Sequence, residues 1–97
     1  MRELIWLDSA VNDLVRLRQF IAEKNPEAAG RAAKTISQNT HLLRENPHIG
    51  KPVIDLPEFR DHYIRFGAGG YILRYRIDLE IVYIVHLRHY RESNFKN

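Results

Sequence analysis

Between Asp61 and Arg91 the chain reads DHYIRFGAGGYILRYRIDLEIVYIVHLRHYR, and along most of that stretch the character of the side chains alternates with a period of two. That period belongs to a β-strand, whose successive residues face opposite sides of the sheet. His62, Ile64 and Phe66 alternate with Tyr63 and Arg65, and Tyr71, Leu73, Tyr75 and Ile77 alternate with Ile72, Arg74 and Arg76. Ile81, Tyr83, Val85 and Leu87 then oppose Val82, Ile84, His86 and Arg88. Gly67-Ala68-Gly69-Gly70 supplies the permissive backbone of a hairpin turn and Asp78-Leu79-Glu80 a second reversal, so the stretch predicts a three-stranded antiparallel meander. One face of this sheet is apolar and needs a cover; the other carries arginine and histidine.

The first half of the chain supplies the cover. Glu3-Leu4-Ile5-Trp6-Leu7 is too short an apolar run for a helix and predicts a strand. Asp8 or Ser9 then offers a capping oxygen, and Ala10, Leu14, Leu17 and Ile21 recur at helical spacing to Lys24, with Val11 and Val15 widening the stripe. Asn25-Pro26 breaks and restarts the pattern, Asn as cap and Pro at the first helical position. Ala29, Ala32, Ala33, Ile36, Thr40 and Leu43 line one side of a second helix that runs to Glu45, where Asn46-Pro47-His48-Ile49-Gly50-Lys51-Pro52 ends it. Val53 to Glu58 reads as irregular because Pro57 cannot donate to a ladder, and Glu92 to Asn97 as a polar, frayed tail. The order is β-α-α-β-β-β: an α+β domain spanning residues 1–97, with an antiparallel sheet and a helical hairpin packed on one face.

Composition narrows the function classes. Ninety-seven residues at 44% hydrophobic content support a single core. Fifteen Lys+Arg against 12 Asp+Glu leave a net charge of +3, which permits nucleic acid or an acidic protein as partner without selecting either. With no cysteine there is neither a disulfide framework nor a thiol nucleophile, which fits a reducing cytosol. No run approaches the roughly 20 apolar residues of a membrane span, and the start lacks the pattern of a signal peptide. A soluble, cytoplasmic protein with no membrane partner is expected.

The polar face of the meander is the candidate binding site. Read literally, the alternation places Arg65, Arg74, Arg76, His86 and Arg88 together, on strands about 4.8 Å apart. Clustered guanidiniums repel one another unless an anion joins them, so an acidic partner or local carboxylates are expected there. Tyr71, Tyr75 and Tyr83 fall on the parity of the core, as packing residues, and Trp6 reads as core. His86 and His89 point oppositely on a straight strand, and His41, His48 and His62 are scattered, so no metal site is expected. No phosphate loop, dinucleotide fingerprint or Ser-His-Asp order occurs, and no cofactor is expected.

These elements, together with Pro47-x-x-Gly50-x-Pro52, Leu56 through Arg60, Tyr71 with Tyr75-Arg76, and His86 with Arg88, resemble the RelE/ParE superfamily of toxins from bacterial toxin–antitoxin pairs. The likeness runs from Leu4 to about Glu92. It implies the toxin of a type II toxin–antitoxin system, of the plasmid stabilisation kind, bound by a cognate antitoxin in a hetero-oligomer. RelE-like members are ribosome-dependent endoribonucleases that cut messenger RNA without a metal, and such chemistry needs a base, an acid and cations beside the scissile phosphate. ParE-like members bind DNA gyrase and need a binding surface instead. The resemblance puts Ile72 where many RelE-like enzymes have a phosphate-binding arginine, and Phe95 near where some have a tyrosine. Arg88-His89-Tyr90 resembles the arginine, histidine and tyrosine end of other ribonuclease members, which implies His89 or Tyr90 as acid or base. The ParE-like branch, a gyrase inhibitor that is not an enzyme, is the expectation. The alternatives are a ribosome-dependent nuclease using His89, Tyr90, Arg91 and Arg88, and a non-toxic interaction module.

Overall fold

The computed structural model describes residues 2–96. The elements are β1 (Glu3–Trp6), α1 (Asp8–Ala22), α2 (Pro26–Glu45), β2 (Lys51–Val53), β3 (Leu56–Phe66), β4 (Gly69–Asp78) and β5 (Ile81–His89). They form a five-stranded sheet in the order β1-β5-β4-β3-β2, with the two helices packed on one face. The meander of β3, β4 and β5 is antiparallel as its alternation predicts, whereas β1 pairs with β5 in parallel, Glu3 opposite Ile81 through Trp6 opposite Ile84. The sheet is therefore mixed. The reason is topological: the helical hairpin returns the chain to the side from which β1 left, and β5 closes beside it.

The stretch expected to be irregular is largely strand. Lys51 pairs with Asp61 and Pro52 with Arg60, then the register slips so that Val53 meets Leu56. Pro57 sits inside that slip, and β4 pairing begins only at Phe59 opposite Arg76, so its missing N–H leaves no gap in a ladder.

The core joins the helices to the inner face of the sheet. Ala10 and Leu17 of α1, Ala32, Ile36 and Leu43 of α2, and Ile64, Tyr71, Leu73, Tyr75, Val82, Ile84 and Leu87 of the strands form one buried cluster, with Trp6, Leu14 and Ile21 packed against it. Asn25 caps α2 as its sequence predicts, accepting the Ala28 N–H at 3.1 Å. α1 begins differently: Leu7 is its extended cap residue and makes no side-chain cap bond. Val11 and Val15 are 42% and 49% exposed, so they lie outside the buried stripe, and its polar member is Asp13, 4% exposed.

The loop between α2 and β2 is locked onto β4. Buried Tyr75 donates from Oη to the Pro47 carbonyl at 2.7 Å and accepts the Gly50 N–H at 2.9 Å. A Cβ at Gly50 would stand 2.6 Å from that oxygen, which explains the glycine. Arg60 donates to the Gly50 carbonyl at 2.6 Å and closes the same corner.

Candidate functional site

The outer face of the sheet is set by strand register. Phe59, Arg76 and Tyr83 form one cross-strand row, Asp61, Arg74 and His86 the next, and Tyr63, Ile72 and Arg88 the third; Arg65 lies beyond, opposite Gly70. The five residues expected on this face, Arg65, Arg74, Arg76, His86 and Arg88, share it. Two refinements follow from a bulge in β5, where the register shifts between Tyr75, opposite Ile84, and Arg74, opposite His86. Val85 is the extra residue. The shift exchanges the parity of the strand, so Val82 and Ile84 are buried before it and Leu87 after it. Tyr83 is thereby placed on the outer face, under the Arg76 guanidinium at 4.5 Å, and not in the core where straight alternation put it.

The guanidiniums are not bare. Arg74 grips Asp61 with a two-pronged contact, Nε to Oδ1 at 2.8 Å and Nη2 to Oδ2 at 3.0 Å. That hydrogen bond is the main reason the Arg74 guanidinium is held even more firmly protonated than usual, against the opposing effect of burial. Arg76 has a longer ion pair with Asp78 at 3.9 Å. Arg88 turns along its own strand end and donates to the carbonyls of His89, Tyr90 and Glu92. Only Arg65 among them is exposed; the others are partly buried.

Of the tail expected to fray, residues 92–96 turn back against the sheet without forming a helix or strand, and Asn97 lies outside the described residues. Glu92 accepts the His89 N–H at 2.9 Å and the Arg16 guanidinium at 2.9 Å. Burial, its largest single influence, pushes this carboxyl up, but the His89 N–H, Arg16 and Lys96 together hold it below the ordinary value. Three residues on, the Phe95 ring lies stacked on His86 at 5.4 Å, with the Arg74 guanidinium 4.6 Å and the Arg88 guanidinium 5.2 Å from its centre. The arginine face therefore has an aromatic lid supplied by its own chain.

His86 is oriented from the helix side. Its Nδ1 donates to Asp13 Oδ2 at 2.8 Å, and the same oxygen accepts the Leu87 N–H at 2.8 Å. β1 pairs with β5 only as far as Ile84, so the edge of β5 beyond it would be left unpaired. Helix α1 fills in: Ser9 donates to the Val85 carbonyl at 2.6 Å, Asp13 takes the Leu87 N–H, and Arg16 holds the Glu92 that takes the His89 N–H. Ser9, Asp13 and Arg16 recur every three to four residues, one helical side facing one strand edge. Sequence reasoning missed Asp13. Its signal was an acidic residue inside the apolar stripe, between Ala10 and Leu17.

The residues expected for a nuclease divide. His89, Tyr90 and Arg91 cluster at the end of β5, the first two rings 5.0 Å apart and the Arg91 guanidinium 5.5 Å from the Tyr90 ring, whereas Arg88 faces the outer side. His89 Nδ1 accepts the Arg91 N–H at 3.2 Å, so its ring hydrogen belongs on Nε2. Burial first and Arg91 second push the His89 imidazole below its ordinary value. Tyr90 packs across the hairpin onto Gly69, where a Cβ would lie 2.4 Å from the ring. A depression of about 380 Å³ lies between Phe20, His89, Arg91 and Glu92, and a larger groove of about 610 Å³ crosses the opposite side of the sheet, lined by Lys51, Val53, Ile54, Tyr63 and Ile72.

A helical hairpin on one side of a meander-centred sheet, with arginines on the other, is the build of the RelE/ParE superfamily of toxins. The chain belongs to the ParE toxin family of type II toxin–antitoxin systems: the family described as "ParE toxin of type II toxin-antitoxin system, parDE" matches residues 4–94. Among curated proteins it is similar to "Toxin RelE3" of Caulobacter vibrioides, 34% identical over 80 residues that cover 82% of this chain and 85% of that one. "Toxin RelE2" of the same organism is 28% identical over 92% of this chain and 96% of the relative. A solved structure described as "Chromosomal ParDE TA system from P. aeruginosa" shares the fold with a TM-score of 0.75 at 21% identity, over 92% of this chain and 96% of that one. Among the described residues, no helix is long and apolar enough to cross a membrane.

Proposed function

We propose that this toxin acts in the cytoplasm on DNA gyrase by binding it, and that a cognate antitoxin neutralises it in a hetero-oligomer by covering the outer face of the sheet. The observation that carries this reading is how the polar groups are spent. Metal-free RNA cleavage needs a base, an acid and free cationic donors converging on one phosphate. Here the Arg74 donors meet Asp61, Arg88 donates to backbone carbonyls, and the His89 Nδ1 lone pair accepts a backbone N–H. Isoleucine and phenylalanine stand at 72 and 95, without proton-transfer groups. What remains is a surface: exposed Arg65, paired but accessible Arg76, and an apolar groove beside them.

The family membership supports the antitoxin, and the charge of the face supports its chemistry. An acidic, amphipathic segment that orders on binding would lay carboxylates against Arg65 and Arg76 and apolar groups in the groove. Reversing Arg74 and Arg76 to Glu is expected to weaken that complex several-fold at low salt.

One observation favours the second reading, a ribosome-dependent messenger RNA endoribonuclease. His89, Tyr90 and Arg91 do lie side by side beside an open depression. Purified protein added to gyrase with relaxed plasmid, and separately to ribosomes programmed with messenger RNA, distinguishes the two. Inhibited supercoiling with intact message supports the gyrase reading; cleaved message with normal supercoiling replaces it, and neither effect leaves a non-toxic interaction module.

A further inference from the structure

The ring of Phe95 rests in a place whose walls are held without it. Asp61 fixes Arg74 from behind with two hydrogen bonds, Asp13 fixes the His86 imidazole through Nδ1, and the carbonyls at the end of β5 fix Arg88. The ring itself is loosely tethered. Among the described residues, 93–96 belong to no helix or strand, and apart from the Phe95 contacts they show one long ion pair, Lys96 to Glu92 at 3.9 Å. A preorganised cup occupied by a weakly held ring is what an intramolecular stand-in for a ligand looks like.

We propose that Arg74, His86 and Arg88 form a binding cup for an aromatic side chain of a protein partner, and that Phe95 occupies it in the free toxin as a built-in competitor. The proposal rests on the outer face being the partner-binding face and names the group that face accepts. The choice of a side chain over a nucleotide follows from which parts of the guanidiniums are free. Arg74 spends its Nε and Nη2 on Asp61 and Arg88 its Nη1 on backbone carbonyls, which reduces the donors left for a phosphate. Their flat faces stay open to a π-system, which is how Phe95 already uses them. Next to the cup, Tyr63 and Ile72 lead into the apolar groove, which exposed Lys51 also lines. The fitting ligand is a peptide with one aromatic side chain, neighbouring aliphatic residues and acidic flanks.

The test uses calorimetry with an acidic synthetic peptide carrying a single Trp, the same peptide with Leu in its place, and adenosine monophosphate. Phe95→Ala removes the competitor, so the Trp peptide is expected to bind roughly fivefold tighter or more than to wild type. Phe95→Trp strengthens the competitor, and binding is expected to weaken. The Leu peptide should gain nothing from Phe95→Ala. Equal affinities across wild type and both variants, an equal gain for the Leu peptide, or binding of the nucleotide in place of the peptide would each overturn the proposal. Thermal melts of each variant report that the fold persists, and the two substitutions, predicted to act in opposite directions, separate competition from damage. Because the experiment contains no gyrase, its failure is distinguishable from a failure of the target assignment.

Discussion

Asp13 shows how much a single side chain settles here. It is buried, it satisfies the Leu87 N–H on a strand edge that β1 does not reach, and it fixes the ring of His86 on the far side of that strand. Replacing it with Ala leaves a buried N–H without a partner, a cost of about 1–3 kcal/mol before the lost His86 contact is counted. Asp13→Ala is therefore expected to lower the denaturant midpoint substantially at unchanged slope, and a shift within error would show that water or a neighbour takes over. The titrating residues add a pH dependence of definite sign. The His62 and His89 imidazoles are lowered from 6.5, chiefly by burial, so the unfolded chain takes up their protons first as pH falls. Their contribution is present above 6.5 and is lost as pH drops through the folded values. Glu92, held below 4.5, contributes in the same direction but lower down, above its ordinary value and fading in more acidic solution. Melting temperature is expected to fall in two stages on acidification, and Glu92→Gln should flatten the lower one and, by removing a charge that opposes the lowering of His89, deepen the upper one.

At the scale of elements, the helices and strands owe their legibility to different signals. The meander was readable because β3 and β4 alternate cleanly: His62, Ile64, Leu73 and Tyr75 face the helices, while Arg65, Arg74 and Arg76 face away. β5 was less readable, since Ile81-Val82-Tyr83-Ile84-Val85 is apolar at both parities and nothing local marks Val85 as the bulge. Only the partner on α1 does, by taking the backbone groups of Val85 and Leu87. Likewise β2 was hidden by Pro52 and Pro57, whose missing donors are harmless because of a register slip that no local pattern encodes. α2 was readable at its start because Asn25 and Pro26 are a capping pair with a mechanism. Asn25→Ala is expected to cost about 1 kcal/mol by removing the acceptor for the Ala28 N–H, with Asn25→Asp close to neutral. Equal losses for the two substitutions in urea unfolding would show that the cap contributes little.

At the scale of the molecule, the sheet separates two roles. Its inner face, with the helical hairpin, holds the fold; its outer face gathers charge and apolar surface that the fold does not consume. The gathering of Arg65, Arg74, Arg76, His86 and Arg88 on that side was legible from period-two spacing. The pairing of Arg74 with Asp61 and of Arg76 with Asp78 and the lid of Phe95 were not, because they depend on cross-strand register and on a tail whose sequence is polar except for one ring. The proposed gyrase inhibition places the activity on this outer face and not on the His89-Tyr90-Arg91 cluster. Gyrase supercoiling titrated with wild type, with an Arg65→Glu, Arg76→Glu double variant, and with a His89→Ala, Tyr90→Phe, Arg91→Ala triple variant measures it directly. The prediction is that the triple variant inhibits like wild type and the double variant loses at least about tenfold in potency, corresponding to 1.4 kcal/mol of binding. A double variant that inhibits fully while the triple variant does nothing would contradict it.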